Sequence, residues 1–370
     1  MKRHLLVLDG LRGVAALAVV FYHFGGRLSD FAPMQHGYLA VDFFFALSGF
    51  VIAYAYEDRL RDGMGLRQFL VARLVRLMPL LILGLCIGAV LELGRPNVGD
   101  FPTHMGHVAL AWLFGSFVVP LPVSLTLEQV IFPLNSVMWS LFFEFAINIA
   151  YALVAPRLGT RLLIGIILLS APLLIVTALH FGALDAGSGF DDWWGGGARV
   201  LFSFSLGVLL YRLRGAAALA RLAAPVLVLS VAILAVLAMP QLTAPFDAIY
   251  DLTAVMLVFP VIIGAGAKAD AGWFAPLCRV GGDLSYPLYI LHYRLVSMVS
   301  YTIKAHGYGP VGQAASATLA TVLIAAFAYG VFRFGDEPLR RRLTRRHGRQ
   351  ASWNADLPRP PRLATDGRPL

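Results

Sequence analysis

The sequence predicts an all-α protein, a polytopic membrane helical bundle of about ten transmembrane helices. Of its 370 residues, 58% are hydrophobic and 14% are charged, whereas ordinary soluble domains carry a charged share of about 25%. Apolar runs of roughly 20 residues recur along the chain, and each is long enough to cross a hydrocarbon core of about 30 Å as a helix. Because backbone groups find no water in lipid, these runs favour spanning helices.

Eleven apolar segments begin near residues 6, 38, 71, 106, 136, 162, 198, 224, 249, 284 and 311. If all of them crossed the membrane, the basic residues of 212–221 and 340–349 would face outward, against the excess of Lys and Arg in cytoplasmic loops. The segment near 106–121 is short and contains Gly115 and Ser116, so we predict that it is re-entrant or interfacial. Ten spans then remain, with both termini in the cytoplasm.

Residues 1–338 are predicted to form the membrane domain, and residues 339–370 a cytoplasmic tail that is first basic and then proline-rich. Its low apolar content predicts disorder. Arg12 interrupts the first apolar run and no small-residue cleavage site follows, so the N-terminus is interpreted as a retained span rather than a signal peptide. The net charge of +9 comes from short basic clusters between apolar runs, which indicates membrane topology and anionic lipid contacts rather than nucleic acid.

The first apolar segment carries Arg12 and His23. Their spacing places them about 16 Å apart along a helix, on nearly the same face, with Arg12 toward the cytoplasm and His23 in the outer half. Imidazole is suited to accept a proton from a hydroxyl at neutral pH, and Asp42, at a similar depth in the second segment, is predicted to orient it as in hydrolase triads. The alternatives are an interfacial His23 and an Asp42 that caps its own helix.

Arg73 and Arg76 lie three residues apart at the predicted cytoplasmic start of the third segment and are followed by Pro79. This spacing puts both side chains on one helix face. Guanidinium groups bind phosphate oxygens bidentately, so the pair, with Arg12, is a candidate site for the phosphates of coenzyme A. The alternative is a plain positive-inside anchor.

Two later apolar segments, which begin near residues 136 and 284, also carry polar residues. Glu144 is predicted well within the membrane, where a carboxylate needs a partner or a water-filled cavity. Ser285, Tyr289 and His292 fall at i, i+4 and i+7 and form one polar stripe. Such a stripe lines a channel or joins two helices. The predicted substrate-lining or pore-lining residues are Ser48, Trp139, Ser285, Tyr286, Tyr289 and His292.

No metal site is predicted. His104 and His107 are three residues apart, but no carboxylate or third histidine follows at ligand spacing. The two cysteines indicate neither a disulfide nor a metal framework. No feature of the sequence predicts an oligomeric state.

In their order along the chain, these motifs resemble those of the acyltransferase 3 family of membrane O-acyltransferases, over about residues 5–338. That family shows R-x10-H in its first span, matched by Arg12 and His23. Its other motifs are FFxLSGF, RxxR followed by proline, WSLxxE and GxxSYxxYLxH. They are matched by residues 44–50, by Arg73, Arg76 and Pro79, by residues 139–144 and by residues 282–292.

The resemblance implies ten spans with both ends inside, in a bacterial inner membrane. It implies transfer of an acyl group, acetyl above all, from cytoplasmic acyl-CoA to a hydroxyl of a carbohydrate or glycolipid acceptor. His23 and Arg12 would be essential, and Glu144 would support the pore. One departure is the end of the last span, where Glu337 stands between Asp336 and Pro338 at a position that is often basic in the family. A transporter or flippase for a glycan or lipid is the alternative left open.

Overall fold

The computed structural model describes residues 5–95, 100–122, 130–214 and 224–345, and within these ranges the secondary structure is helical with no strand. The all-α prediction is confirmed, and each apolar segment corresponds to a helix. The predictions made on residues 1–4, on Arg221 and on residues 346–370 lie outside the described residues. The helices are α1 (Leu6–Gly25), α2 (Ala40–Arg61), α3 (Leu66–Leu93), α4 (Phe101–Ser116), α5 (Met138–Val154), α6 (Thr160–Phe181), α7 (Trp193–Arg212), α8 (Val226–Leu237), α9 (Phe246–Lys268), α10 (Ala275–Ala305) and α11 (Pro310–Arg345).

Six of these helices are long and apolar enough to cross a membrane: α1, α2 with the turn before it, α3, α6, α9 and α11. Helices α5 and α8 are apolar but shorter. The membrane character of the chain is thus supported by length and composition. The count of ten spans and the cytoplasmic placement of both termini stay predictions. Helix α4, the predicted re-entrant or interfacial element, begins at Phe101 rather than 106 and ends at Ser116.

Local sequence signals explain several helix ends. Asp100 precedes α4, and its carboxylate accepts a hydrogen bond of 3.0 Å from the Thr103 backbone N–H, as at many N-caps. Helix α6 ends at Gly182, whose φ of 79° is left-handed and favours glycine. Helix α11 begins at Pro310, where a missing N–H costs no helical hydrogen bond.

Glycines allow the closest helix contacts. At the crossing of α1 and α10, a Cβ atom on Gly13 would lie 2.5 Å from the Gly281 Cα. At the crossing of α2 and α7, Gly49 and Gly207 face backbone atoms of the opposite helix. Small residues are the usual means by which membrane helices approach closely. These two crossings hold α1 against α10 and α2 against α7.

Helix α11 continues through a π-helical turn at Phe332–Asp336 to Arg345. The predicted domain boundary at residue 338 therefore falls inside a helix, and residues 339–345 are helical. The division into a membrane domain and a tail stays a prediction. Ion pairs support this extension. Arg340 Nη2 lies 2.6 Å from Asp336 Oδ2, and Arg333 Nη1 lies 2.5 Å from Glu337 Oε2. Acidic and basic residues four apart on a helix stabilise it in this way.

Candidate active site

A cavity of about 110 Å³ lies inside the bundle, between α1, α2, α3, α5 and α10. We call it the chamber. Its walls include aromatic and aliphatic side chains of α2, such as Phe44 and Phe45. Eight of the residues predicted from the sequence line it: Arg12, Ser48, Arg73, Arg76, Glu144, Ser285, Tyr286 and Tyr289.

Glu144 connects its own helix, α5, with α3 and α2 through hydrogen bonds. Its Oε1 accepts a hydrogen bond of 2.8 Å from Arg73 Nη2 and one of 3.0 Å from Ser48 Oγ. The side chain of Arg73 is 7% exposed and that of Glu144 is 22% exposed. This partner explains how a carboxylate is accommodated within an apolar helix. It also means that the positive charge of Arg73 is already compensated inside the chamber.

Arg12 is held at the crossing of α1 and α10. Its Nε donates a hydrogen bond of 2.7 Å to Ser285 Oγ, and its Nη2 donates one of 3.0 Å to the Gly282 carbonyl. Asp9, one turn earlier on α1, lies 3.4 Å from the same guanidinium. The close glycine contact between the two helices lets this side chain reach α10. Arg12 is therefore a fixed positive charge in the chamber wall.

Two tyrosines of α10 form another part of the wall. The Tyr289 hydroxyl and Ser140 Oγ lie 2.7 Å apart, within hydrogen-bond distance. The Tyr286 hydroxyl donates a hydrogen bond of 2.6 Å to the Leu77 carbonyl. Both tyrosines thus tie α10 to neighbouring helices while their rings face the chamber. Of the predicted polar stripe, Ser285 and Tyr289 line this cavity.

His292, the third member of the stripe, lies behind Tyr289 and is fully buried. Its ring centroid is 6.0 Å from that of Tyr289 and 5.1 Å from that of His23. Its Nδ1 contacts the carbonyls of Leu288 at 3.0 Å and of Tyr289 at 2.8 Å. Because a carbonyl only accepts hydrogen bonds, Nδ1 carries the proton. His292 Nε2 is then an unprotonated, buried nitrogen without a hydrogen-bond partner among the described residues.

His23 does not line the chamber. Besides His292, its ring contacts Tyr22 at 5.1 Å and Tyr293 at 5.2 Å between centroids. The Tyr22 hydroxyl donates a hydrogen bond of 2.7 Å to Asp185, in the loop after α6. Tyr289, in the chamber wall, and His292 behind it therefore lie between His23 and the chamber.

A second cavity, of about 720 Å³, adjoins the chamber at the end of the bundle where α1 begins and α11 ends. We call it the vestibule. It lies at the end of the bundle that the sequence predicts to face the cytoplasm. The two cavities share five lining residues: Arg12, Leu47, Val51, Arg76 and Tyr286.

Residues 5–330 match the acyltransferase 3 family, described as an acyltransferase domain. The chain belongs to this family. The acyltransferase is 39% identical over 188 residues to Protein 2 in picA locus from Rhizobium radiobacter, which is 48% of this chain and 95% of that protein. It is 26% identical over 189 residues to the peptidoglycan O-acetyltransferase OatA of Listeria monocytogenes, covering 46% of this chain and 28% of that one.

A third relative, the O-acetyltransferase OatA of Staphylococcus aureus strain NCTC 8325, is 25% identical over 366 residues. The match covers 92% of this acyltransferase and 58% of that protein. Both OatA relatives thus extend well beyond the matched region. No solved structure matches the chain.

The predicted contact between Asp42 and His23 is not found in the acyltransferase. The Asp42 carboxylate instead accepts hydrogen bonds from Arg199, the shortest of 2.7 Å from Nη2, and both side chains are fully buried. Arg199 also donates to the carbonyls of Ala186 and Tyr38. The sequence prediction missed Arg199, although an arginine inside the apolar segment near 198 is the signal that would have found it.

Trp139, predicted to face substrate, does not line the chamber of the acyltransferase. Its ring lies 5.1 Å from the Arg199 guanidinium carbon, a cation–π contact, and it meets Phe45 edge to face. Trp139 therefore packs between the chamber wall and the buried ion pair of Arg199 and Asp42.

The histidines of α4 make no metal centre with their neighbours. His104 Nε2 lies 3.2 Å from the Glu92 carbonyl, a contact that ties α4 to the end of α3. Over the described parts of the acyltransferase, no group of three or more His, Cys, Asp or Glu side chains is placed to hold a metal ion.

Proposed function

We propose that this acyltransferase moves an acyl group, acetyl in the simplest case, from cytoplasmic acyl-CoA to a hydroxyl of a carbohydrate or glycolipid acceptor, in a bacterial inner membrane. The observation that carries the proposal is the chamber. Arginines of α1 and α3 lie where it meets the vestibule, and Tyr289, backed by two imidazoles, forms another part of its wall. The names of the OatA relatives support O-acetyl transfer.

The donor would enter through the vestibule. Arg76 and Arg12 line both cavities, and guanidinium groups are suited to phosphate oxygens. With the phosphates there, the pantetheine arm extends into the chamber. Its thioester would then lie near Ser140 and Tyr289. Arg73, which Glu144 already binds, is proposed to shape this path rather than to grip a phosphate.

The acceptor would approach from the side of His23. Because Tyr289 and His292 lie between His23 and the chamber, the transfer step requires these two side chains to move aside. The His23 imidazole then takes the proton of the acceptor hydroxyl while the oxygen attacks the thioester carbonyl carbon. A C–O bond forms, the C–S bond breaks, and the coenzyme A thiolate takes the proton back from the imidazolium. The enzyme ends unchanged. Asp42 does not contact the His23 ring, whereas His292 does, so we assign the positioning role to His292.

The test is transfer of radiolabelled acetyl from acetyl-CoA to glycan fragments by the full chain in lipid nanodiscs. General-base assistance contributes about 10²–10⁴-fold, so His23→Ala should reduce transfer by that factor with normal membrane insertion. His180→Ala is the matched control, since this histidine is exposed at the end of α6 and should leave transfer unchanged.

Three outcomes separate the alternatives. His23-dependent label on the glycan supports direct transfer. Label that accumulates on the protein without acceptor indicates an acyl-histidine relay. Movement of a glycan or lipid across vesicles without acetyl-CoA consumption would support a transporter and contradict the proposal. If transfer is observed, mass spectrometry of envelope glycans from a deletion strain would identify the acceptor.

A further inference from the structure

The vestibule is lined by two arginines that the predicted phosphate site does not include. Four arginines from four helices line it, together with two carboxylates, and none of the four is adjacent to another in the sequence. Its charged lining residues are Arg12, Arg76, Arg279 and Arg340, with Asp9 and Asp283. Arg279 and Arg340 belong to none of the motifs from which the acyl-CoA site was predicted.

These arginines differ in what already binds them. Arg12 is held by Ser285 and the Gly282 carbonyl, and Arg340 lies 2.6 Å from Asp336. Arg76 and Arg279 make no ion pair or side-chain hydrogen bond with another residue in the described ranges. Two guanidinium groups are thus available in the vestibule, and each has five donors that suit phosphate oxygens.

The four arginines fall into two groups according to which cavity they line. Arg12 and Arg76 line both the chamber and the vestibule, whereas Arg279 and Arg340 line the vestibule alone. A ligand whose acyl arm fills the chamber therefore places the phosphates next to that arm at Arg12 and Arg76. Any further phosphate, more distant from the arm, falls toward Arg279 and Arg340.

Coenzyme A has this distribution of charge. Its pyrophosphate joins the pantetheine arm to the ribose, and its 3′-phosphate lies on the far side of that ribose. We propose that Arg279 and Arg340 bind the 3′-phosphate, so that the enzyme distinguishes coenzyme A from its dephospho form. This inference rests on the proposed function, because it takes acyl-CoA as the donor.

The test compares acetyl-CoA with acetyl-dephospho-CoA, measured by calorimetric binding to the full chain in nanodiscs of zwitterionic lipid. Neutral lipid keeps anionic headgroups from competing for the arginines. A charge-assisted hydrogen bond raises binding affinity by roughly 10- to 100-fold. The unaltered protein should bind acetyl-CoA more tightly by about that factor. Arg279→Ala should lower the affinity for acetyl-CoA toward that of the dephospho form and leave the latter unchanged.

Arg340→Lys is the second variant, because it keeps a positive charge beside Asp336 and removes the bidentate fork. It should lower discrimination between the two ligands in part. Arg333→Ala is the control: this arginine is on the same helix, pairs with Glu337 and lies outside the vestibule lining. It should leave both affinities unchanged.

Equal binding of the two ligands by the unaltered protein overturns the inference. So does an equal loss of affinity for both ligands in Arg279→Ala, which would indicate general attraction rather than a 3′-phosphate site. Failure to bind either ligand refutes acyl-CoA as the donor, and the proposed function fails with it. The first two results leave that function intact, so the two failures are distinguishable.

Discussion

Arg199 Nη2 donates a hydrogen bond of 2.7 Å to Asp42 Oδ2 at the contact of α7 with α2, where both side chains are fully buried. The Asp42 carboxylate thus pairs with Arg199 and not with His23. Its role is therefore to join two helices behind the chamber. The residue that we propose to position His23 is instead His292, whose ring centroid lies 5.1 Å from that of His23.

Asp42→Ala should destabilise the protein. It leaves the buried Arg199 charge unpaired, which typically costs about 3–5 kcal/mol. We expect a lower thermal unfolding temperature in detergent and less protein in the membrane fraction. The double variant Asp42→Leu with Arg199→Met removes both charges and should recover most of the stability. A well-folded, inactive Asp42→Asn enzyme with a changed pH profile would instead show that Asp42 acts on His23.

His292→Ala should lower the turnover number while leaving the KM for acetyl-CoA unchanged, because His292 contacts the His23 ring but lies outside the lining of both cavities. The decisive measurement is the pH dependence of the turnover number. Loss of the neighbouring ring should shift the pH at which His23 becomes active. Tyr293→Phe keeps the ring contact between residue 293 and His23 and serves as the control. A drop in stability with an unchanged pH profile would reduce His292 to a packing residue.

Glu144→Ala should lower transfer by about 10- to 100-fold, the range associated with a lost hydrogen bond to a charged group. Arg73 and Ser48 lose their shared acceptor, so the chamber wall rearranges. Glu144→Gln keeps an oxygen acceptor and should retain more activity. Steady-state transfer of labelled acetyl measures both. Glu337→Gln, outside both cavities, is the matched control, and equal activity of Glu144→Ala and the unaltered protein would contradict the assignment.

Gly13→Ala should reduce transfer by moving α1 away from α10. The added Cβ would lie 2.5 Å from the Gly281 Cα, and the shift would break the hydrogen bond of Arg12 to Ser285. Gly330→Ala is the control, since a Cβ there meets no atom within 4 Å. Transfer activity and acetyl-CoA affinity are the measurements. Unchanged values for both in Gly13→Ala would show that the crossing tolerates the side chain and that Arg12 does not depend on it.

The prediction from sequence was accurate where the signal is local. Each of the eleven apolar segments is a helix, because hydropathy and run length determine which stretch becomes helical in lipid. The eight chamber residues were found because a polar residue in an apolar helix must face protein or water. The extension of α11 past residue 338 was missed, since residues 339–345 were interpreted as part of a tail.

By itself, the sequence determined the class of the molecule, its helices and the polar side chains that those helices carry inward. Only the tertiary structure decided the partners: Arg199 for Asp42, Arg73 for Glu144 and His292 for His23. The physical reason is that one residue turns an α-helix by about 100°. Which side chains meet across a helix crossing depends on the rotation of both helices, and that rotation is determined by contacts such as Gly13 with Gly281, far apart in the chain.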